Sequence, residues 1–489
     1  MKRMISILLL FVLMIMLTGC GNAEGEKASS GIQQNKRPSE TSEHTIAPTA
    51  KTSQKEGEAE ELTLAIPTPV SLLPWEVMDE TTKVLLSLFY EPLFVFSDEG
   101  RIQPVLAQTV TIADDASYID VELKRDIYFH DGSLLDAGDV SFSIDQLRRQ
   151  KNAYSEEISI ISRTTIVDFY TIRLYLKKDS LASIEGLVFP IGCEDSYSKL
   201  DPVGTGPFKL EEIEEKHEMR LVPYEDFHGQ TPGIASVRCL FVKDPAAVLT
   251  AFSSGRSDLF HEEPLAWDQY QFQEKYTVYS YPSFEALYIA FYENGFTSVL
   301  SNRQKIAFAI DTAEVLKDAA WGYGTACDIP FHPGYWYDPG LEERYPQDTA
   351  KAESIAISGI SVSEIRIYVN PSDTVAVRAA DSVRRQLEKA GMKVQITNQE
   401  DDLYDLRIVH ENVDLFRAFT LLGDPERLED LADEEELKEE VMNMAVYAQV
   451  KVPIYFLCYL DKGVIVSSHL SGRLQPHEGF VYLGAEYLK

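Results

Sequence analysis

Apolar and polar residues alternate strictly at Tyr118–Leu123 (YIDVEL) and Thr171–Leu176 (TIRLYL), which predicts two half-buried antiparallel strands. Before them LTLAI, 62–66, reads as the strand that opens the folded part, and TTKVLLSLFYEPLFVF has a helical period around Val84–Phe89 followed by an extended run. VGTGPFKL, Val203–Leu210, is a turn feeding a strand, and Arg220–Pro223 and Val237–Val242 continue the sheet. A second block begins near Tyr279. There Asn302–Asp318 (NRQKIAFAIDTAEVLKD) places Ile306, Ala309, Ile310 and Val315 on one helical face, predicting a single helix. Glu364–Val369, a helix over Ala376–Ala390 stopped by Gly391, Lys393–Ile396 and Tyr404–Val409 give a β-α-β-β order, the signature of an α/β lobe. Asp424–Gln449 reads as a charged helix whose acidic run is a solvated face, and the chain closes on two strands, VPIYFLCYL and GVIVSS.

With 489 residues the chain exceeds one compact core, and 45% hydrophobic content with 25 Tyr and 23 Phe says that it folds. A formal charge of -33 repels phosphate, so nucleic acid is excluded as a partner, and an anionic membrane surface repels this body unless an anchor holds it. The anchor is expected at the start. Lys2 and Arg3 precede an apolar run from Met4 to Leu17, too short for a comfortable transmembrane helix, and Leu17-Thr18-Gly19-Cys20 resembles the bacterial lipobox, in which the cysteine is lipidated. From Gly21 to about Glu60 the chain has almost no large apolar side chains and reads as a disordered tether. Cys193, Cys239, Cys327 and Cys458 are scattered without CxxC spacing; one or two disulfides and buried free thiols both remain open.

The stretch with the most chemistry in it is FHDGSLLDAGDVSFSI, Phe129–Ile144, with one histidine and three aspartates. Asp131, Asp136 and Asp139 are spaced five and three apart with Leu134 and Leu135 between, which breaks the pattern of a calcium loop. Asp131-Gly132 is a turn signal, and Asp136-Ala137-Gly138-Asp139 reads as a helix start with carboxylates at its positive end. No histidine pair at i,i+4 occurs among the nine, and His410-Glu411-Asn412-Val413-Asp414 lacks the second histidine of a zinc helix. No nucleophile elbow, phosphate loop or dinucleotide fingerprint is present, so neither an enzyme nor a cofactor or metal is expected.

Tyr90 to Ile144 resembles the signature region of the family 5 extracytoplasmic solute-binding proteins, the oligopeptide, dipeptide and nickel binders of ABC transporters. The matching residues are Tyr90, Glu91, Leu93, Gly100, Pro104, Leu106, Ala107, Phe129, Asp131, Gly132, Asp139, Val140 and Phe142. Gly204-Thr205-Gly206-Pro207-Phe208, the run Arg303–Asp311 followed by Gly322-Tyr323-Gly324-Thr325-Ala326, and Val452-Pro453-Ile454-Tyr455 are similar to three further family blocks in the same order. The resemblance implies an α/β, two-lobed periplasmic-binding-protein-like fold (type II, cluster C). Lobe I would comprise 61–80, 201–265 and 445–489, with an extra inserted subdomain over 81–200, and lobe II would span 266–444.

It further implies a lipid-anchored receptor on the extracytoplasmic face of the cell membrane, the outer surface of a Gram-positive cell. It would be a monomer that closes on a peptide or other small solute and passes it to an ABC permease and its ATPase. Asp414 falls on the position that pairs with a peptide amine in the family, while Glu411 stands where the family carries tryptophan, Leu73 where Asp is common, and Tyr292 where Asn is common. Trp75, Tyr335 and Trp336 are the aromatic candidates for a ligand sandwich. The alternative is a diverged member that binds a nickel chelate or a sugar, or senses a signalling peptide.

Overall fold

The computed structural model describes residues 61–476, except 114–116, 156, 178–186, 195, 215, 263, 266–273, 293–294, 360–363, 400–403, 429–430, 432–433, 471–473 and 475. All of these belong to one compact unit, Gly57–Lys489. The Met4–Leu17 run, Cys20 and the tether lie outside the described residues. Among the described residues, no helix is long and apolar enough to cross a membrane.

The first part of the chain runs β1 (Glu61–Pro67), α1 (Glu80–Leu86), β2 (Phe94–Phe96), β3 (Ile102–Pro104), β4 (Ala107–Ile112), β5 (Tyr118–Leu123), α2 (Ala137–Leu147), β6 (Ile161–Asp168) and β7 (Thr171–Leu176). It continues with β8 (Phe208–Glu214), β9 (Glu218–Pro223), β10 (Ser236–Val242), α3 (Pro245–Ser253), β11 (Leu259–Glu262) and the long β12 (Tyr276–Phe291). The rest comprises α4 (Leu300–Ala309), α5 (Thr312–Ala320), β13 (Gly324–Ala326), α6 (Thr349–Ser354), β14 (Ile365–Tyr368), α7 (Thr374–Lys389), β15 (Val394–Thr397), β16 (Leu406–Asn412), α8 (Leu415–Leu421), α9 (Glu434–Lys451) and β17 (Ile454–Ser467).

The main sheet runs β15-β14-β16-β12-β17-β11-β1-β10-β9-β8, with β13 also on β17. β4-β5-β7-β6 form a separate layer, and β2-β3 a small hairpin. The alternation read in β5 and β7 is obeyed: Ile119, Val121, Ile172 and Leu174 are fully buried, and Asp120 faces its register partner Arg173 in a two-pronged contact of 2.7 Å on each arm.

β12 and β17 are the two longest strands of the sheet, and their ladder shifts register twice, between Pro282 and Ala286 and again between Leu287 and Tyr288. Tyr276–Pro282 pair with Asp461–Ser467, and Ala286–Ala290 pair with Ile454–Tyr459, so Ser283, Phe284 and Glu285 fall out of register. Pro282 has no N–H to give the ladder, and Ser283 Oγ instead donates to the Leu460 carbonyl at 2.8 Å. The break also divides the core. Tyr281 joins a cluster built on β1, β5, β10 and α2, whereas Leu287 and Ile289 join one built on α4, α5 and α7. Phe284, Ala286 and Tyr288 face a third cluster containing α8 and α9.

The structure changes several sequence expectations. The single helix over 302–318 is two, because Ile310 is extended and Asp311 caps α5, accepting from the Glu314 N–H while its own N–H donates to Gln386 Oε1 at 2.6 Å. The two closing strands are one, β17, with Gly463 in its interior because Leu265 Cδ1 lies 2.5 Å from where a Cβ would stand. The 424–449 helix resolves into a short turn at Pro425–Leu428 and then α9. The strand expected at 404–409 runs three residues further, to Asn412. Gly391 ends its helix as expected, at φ +78°. Cys239, Cys327 and Cys458 are buried free thiols, and Cys193 is buried with its sulfur 3.6 Å from Ser133 Oγ.

Candidate ligand cleft

Ligands in α/β sheets gather outside the carboxyl ends of the parallel strands. Here β1 runs parallel to β10 and β11, and β14 runs parallel to β15 and β16. A cavity of about 440 Å³ opens between the two groups, inside the range of ligand pockets. Ala65 of β1, Val84 of α1, Val248 of α3 and Phe260, His261 and Glu262 of β11 line one wall; Glu285 of β12 and His410 of β16 line the other.

Glu285 stands in the register break, and His410 near the carboxyl end of β16. His410 Nδ1 meets Asp373 Oδ2 at 2.9 Å, and its Nε2 lies 3.3 Å from Glu285 Oε2. Asp373 is the N-cap of α7, accepting from the Ala376 N–H at 2.9 Å, so the helix start fixes the carboxylate that orients the imidazole. Burial opposes a charge on His410, but the two carboxylates outweigh it and raise its pKa to about 9. The ring is therefore an imidazolium at neutral pH. Lys462, buried in β17, approaches the other oxygen of Glu285 at 3.8 Å.

Residues 410 and 411 point to opposite faces of β16. Glu411 accordingly leaves the cavity: it accepts from the Tyr288 hydroxyl at 2.6 Å and from Arg417 at 2.7 and 3.0 Å. Asp414 is the N-cap of α8, accepting from the Arg417 N–H at 2.7 Å, and burial raises its pKa. Arg417 thus brings Glu411 and Asp414 together. The aromatic candidates are elsewhere. Trp75 is core, edge-on to Phe142 at 5.4 Å and over Gly192. Tyr335 stacks on His332 at 3.9 Å and meets Phe284 edge-on at 5.5 Å, beside a crevice of only about 10 Å³. The backbone N–H of Trp336 donates to Glu99, and its ring lies 4.8 Å from the Arg101 guanidinium. These three rings pack between parts of the protein and do not line the 440 Å³ cavity.

Sequence reading missed Glu262, Glu285, Asp373 and His410. Two signals were available: Asp373 immediately precedes a helix that follows a strand, and His410 lies near the end of a neighbouring parallel strand. Glu285 had none, since only the register break exposes it.

Phe129–Ile144 is scaffold, as its spacing indicated. Asp131 accepts from the Ser133 N–H at 2.9 Å, and Asp136 and Asp139 form a capping box on α2. Asp139 also accepts from the Glu194 N–H at 2.9 Å. His130 Nε2 contacts the Gly206 carbonyl at 3.0 Å, and burial depresses its pKa to about 4. The Gly204-Thr205-Gly206 turn presses on the chain at 88–91. A Cβ on Gly204 would lie 2.0 Å from the Phe89 carbonyl oxygen, and Thr205 donates its hydroxyl to buried Glu91. Among the described residues, no group of three or more His, Cys, Asp or Glu is placed to hold a metal ion.

Comparison with known proteins places this geometry. The sequence profile of bacterial extracellular solute-binding proteins, family 5 Middle, matches residues 101–426. The glutathione-binding protein GsiB of Pectobacterium atrosepticum is 25% identical over 353 residues, which cover 67% of this chain and 66% of that protein. GsiB of Escherichia coli K12 is 23% identical over 354 residues, covering 67% of each. The match thus spans about two thirds of these relatives' length. Among solved structures, the ABC transporter substrate-binding protein CtaP of Listeria monocytogenes superposes with a TM-score of 0.72 at 20% identity, covering 88% of this chain and 99% of that one. The nickel ABC transporter protein of Bacillus halodurans gives 0.73 at 19% identity, covering 87% and 99%. The oligopeptide-binding protein AppA of Bacillus subtilis, in complex with a nonapeptide, gives 0.59 at 16% identity, covering 88% and 99%. These likenesses establish the mixed α/β fold with its extra sheet.

Proposed function

The chain belongs to the bacterial extracellular solute-binding proteins of family 5, and from that premise we propose that it is the lipid-anchored solute receptor of an ABC importer. The observation that carries this reading is the cavity of about 440 Å³ lined from β1, α1, α3 and β11 on one side and from β12 and β16 on the other. Two walls on different parts of the sheet can close on a solute, and burial between them supplies affinity while the closed shape signals to a permease and its ATPase. The receptor performs no catalytic step. Cys20 would carry the lipid, residues 21–60 would give it reach from the membrane, and the body would work as a monomer on the outer face of a Gram-positive cell.

The solute is of the peptide class. Relatives named for glutathione and a neighbour holding a nonapeptide support that class. Asp414, half-buried and held at the start of α8, would receive the solute's amine, whose positive charge would offset the cost that burial puts on the carboxylate. A nickel chelate is the second reading, favoured by the Bacillus halodurans neighbour.

Native mass spectrometry of the intact protein purified from its membrane tests both. A one-to-one peptide adduct on a chain carrying acyl mass at Cys20 is expected. A metal adduct would replace the first solute reading with the second. No adduct, together with no binding of tri-alanine, reduced glutathione or nickel–histidine, would overturn the receptor role.

A further inference from the structure

His410 is held in an arrangement that the family assignment does not explain. Its Nδ1 is committed to Asp373 at 2.9 Å, and that carboxylate is itself fixed by the start of α7. Its Nε2 is buried on the cavity wall without a hydrogen-bond partner, because the 3.3 Å approach to Glu285 is an ion pair whose alignment falls short of a hydrogen bond. A buried N–H that lacks an acceptor costs free energy unless something supplies one. Beside it, Glu285 offers carboxylate oxygens held in place by the break in β12. The wall therefore presents a donor next to an acceptor.

We propose that His410 and Glu285 determine specificity in this cleft by reading an amide group of the solute, whose carbonyl oxygen accepts from His410 Nε2 while its N–H donates to Glu285. The inference rests on the solute-receptor reading above and narrows it. Asp373 is the positioning residue, since it sets the ring orientation without lining the cavity. An imidazole flanked by two carboxylates carries protons on both nitrogens and has no lone pair for a metal, so the same geometry rules His410 out as a ligand for a metal chelate. Charge favours a neutral group at this point: Glu285 is balanced by His410 and approached by Lys462, whereas a second anion would sit against Glu285 and Glu262.

The test is calorimetric titration of the intact protein with tri-alanine, reduced glutathione and nickel–histidine, for the wild type, His410→Leu, His410→Gln and Asp373→Asn. At least one of the two peptides binds the wild type. His410→Leu weakens that binding about ten- to a hundredfold, the worth of one charged hydrogen bond, and His410→Gln, which keeps a donor at the same reach, recovers part of it. Asp373→Asn produces a smaller loss. Circular dichroism of each variant shows that the fold persists, and the Gln variant keeps the result interpretable if the Leu variant unfolds. Peptide binding unchanged in both His410 variants overturns the inference and leaves the receptor reading standing. Nickel–histidine binding that disappears in His410→Leu overturns it in favour of metal ligation. Absence of binding to all three probes overturns the receptor reading and this inference with it.

Discussion

Phe129–Ile144 and His410–Asp414 each set a histidine among carboxylates, yet the fold gives them different partners. In the first stretch the polar side chains serve mainly main-chain groups: His130 the Gly206 carbonyl, Asp136 the Gly138 N–H, Asp139 the N–H groups of Asp136 and Glu194. In the second, His410 meets Asp373 and Glu285, and Glu411 meets Arg417 and Tyr288, side chain to side chain. The two histidines show the consequence. Both are half-buried, but burial, aided by Lys209, drives His130 down to about 4, whereas flanking carboxylates carry His410 up to about 9. Carboxylates that saturate backbone donors build a scaffold; a charged side chain held among others at a cavity wall remains able to engage a solute.

The largest effect expected is at His410. Replacing it with leucine takes the cation from between the half-buried carboxylates of Asp373 and Glu285 and should cost about 3 kcal/mol at pH 7, read by urea unfolding. Because its pKa is raised in the folded state, its contribution is complete below about pH 6.5 and is lost as pH rises through about 9. The alkaline decline in stability should therefore flatten in His410→Leu.

His130 has the opposite sign. Its folded pKa is depressed, so its contribution is present above about 6.5 and lost as pH falls through about 4. His130→Gln should flatten the acid limb while costing about 1 kcal/mol at pH 7 for the altered bond to Gly206. Histidine NMR titrations placing the two rings at the same pKa would break the comparison.

Asp414→Ala removes the α8 cap and should cost about 1 kcal/mol. If Asp414 also holds a solute amine, affinity for the bound peptide falls in the same variant, and unchanged affinity would confine Asp414 to its cap. The smallest change is expected at Asp139. Burial raises its pKa to about 6, so its charge at pH 7 is itself costly. In Asp139→Asn, relief of that cost should offset the weakened capping box, leaving stability at pH 7 within about 1 kcal/mol of wild type.

The elements and the family blocks were largely legible in the sequence because their causes are local. Alternation in β5 and β7, the aspartates that cap α2, and Gly391 after α7 each act within a few residues. The errors fell where a distant partner decides. Ile306, Ala309, Ile310 and Val315 do share an apolar face, but the Asp311 N–H is claimed by Gln386, so the helix breaks there. Asp461-Lys462-Gly463 resembles a turn and is strand, because β11 and β12 pair with it on either side and Leu265 fills the space above the glycine. The aromatic residues at 75, 335 and 336 had the right chemistry for a pocket, and packing consumed their faces.

By itself, the sequence determined the fold class, the family and the structural role of Phe129–Ile144, since hydrophobic period, turn chemistry and helix capping are written over short distances. Only the tertiary structure decided the cleft wall. Glu285 enters it through a break in the pairing of β12 with β17, and His410 becomes a cation because Asp373, 37 residues earlier, and Glu285, on a neighbouring strand, converge on one ring. A charge state set by three chain segments has no signature in any one of them.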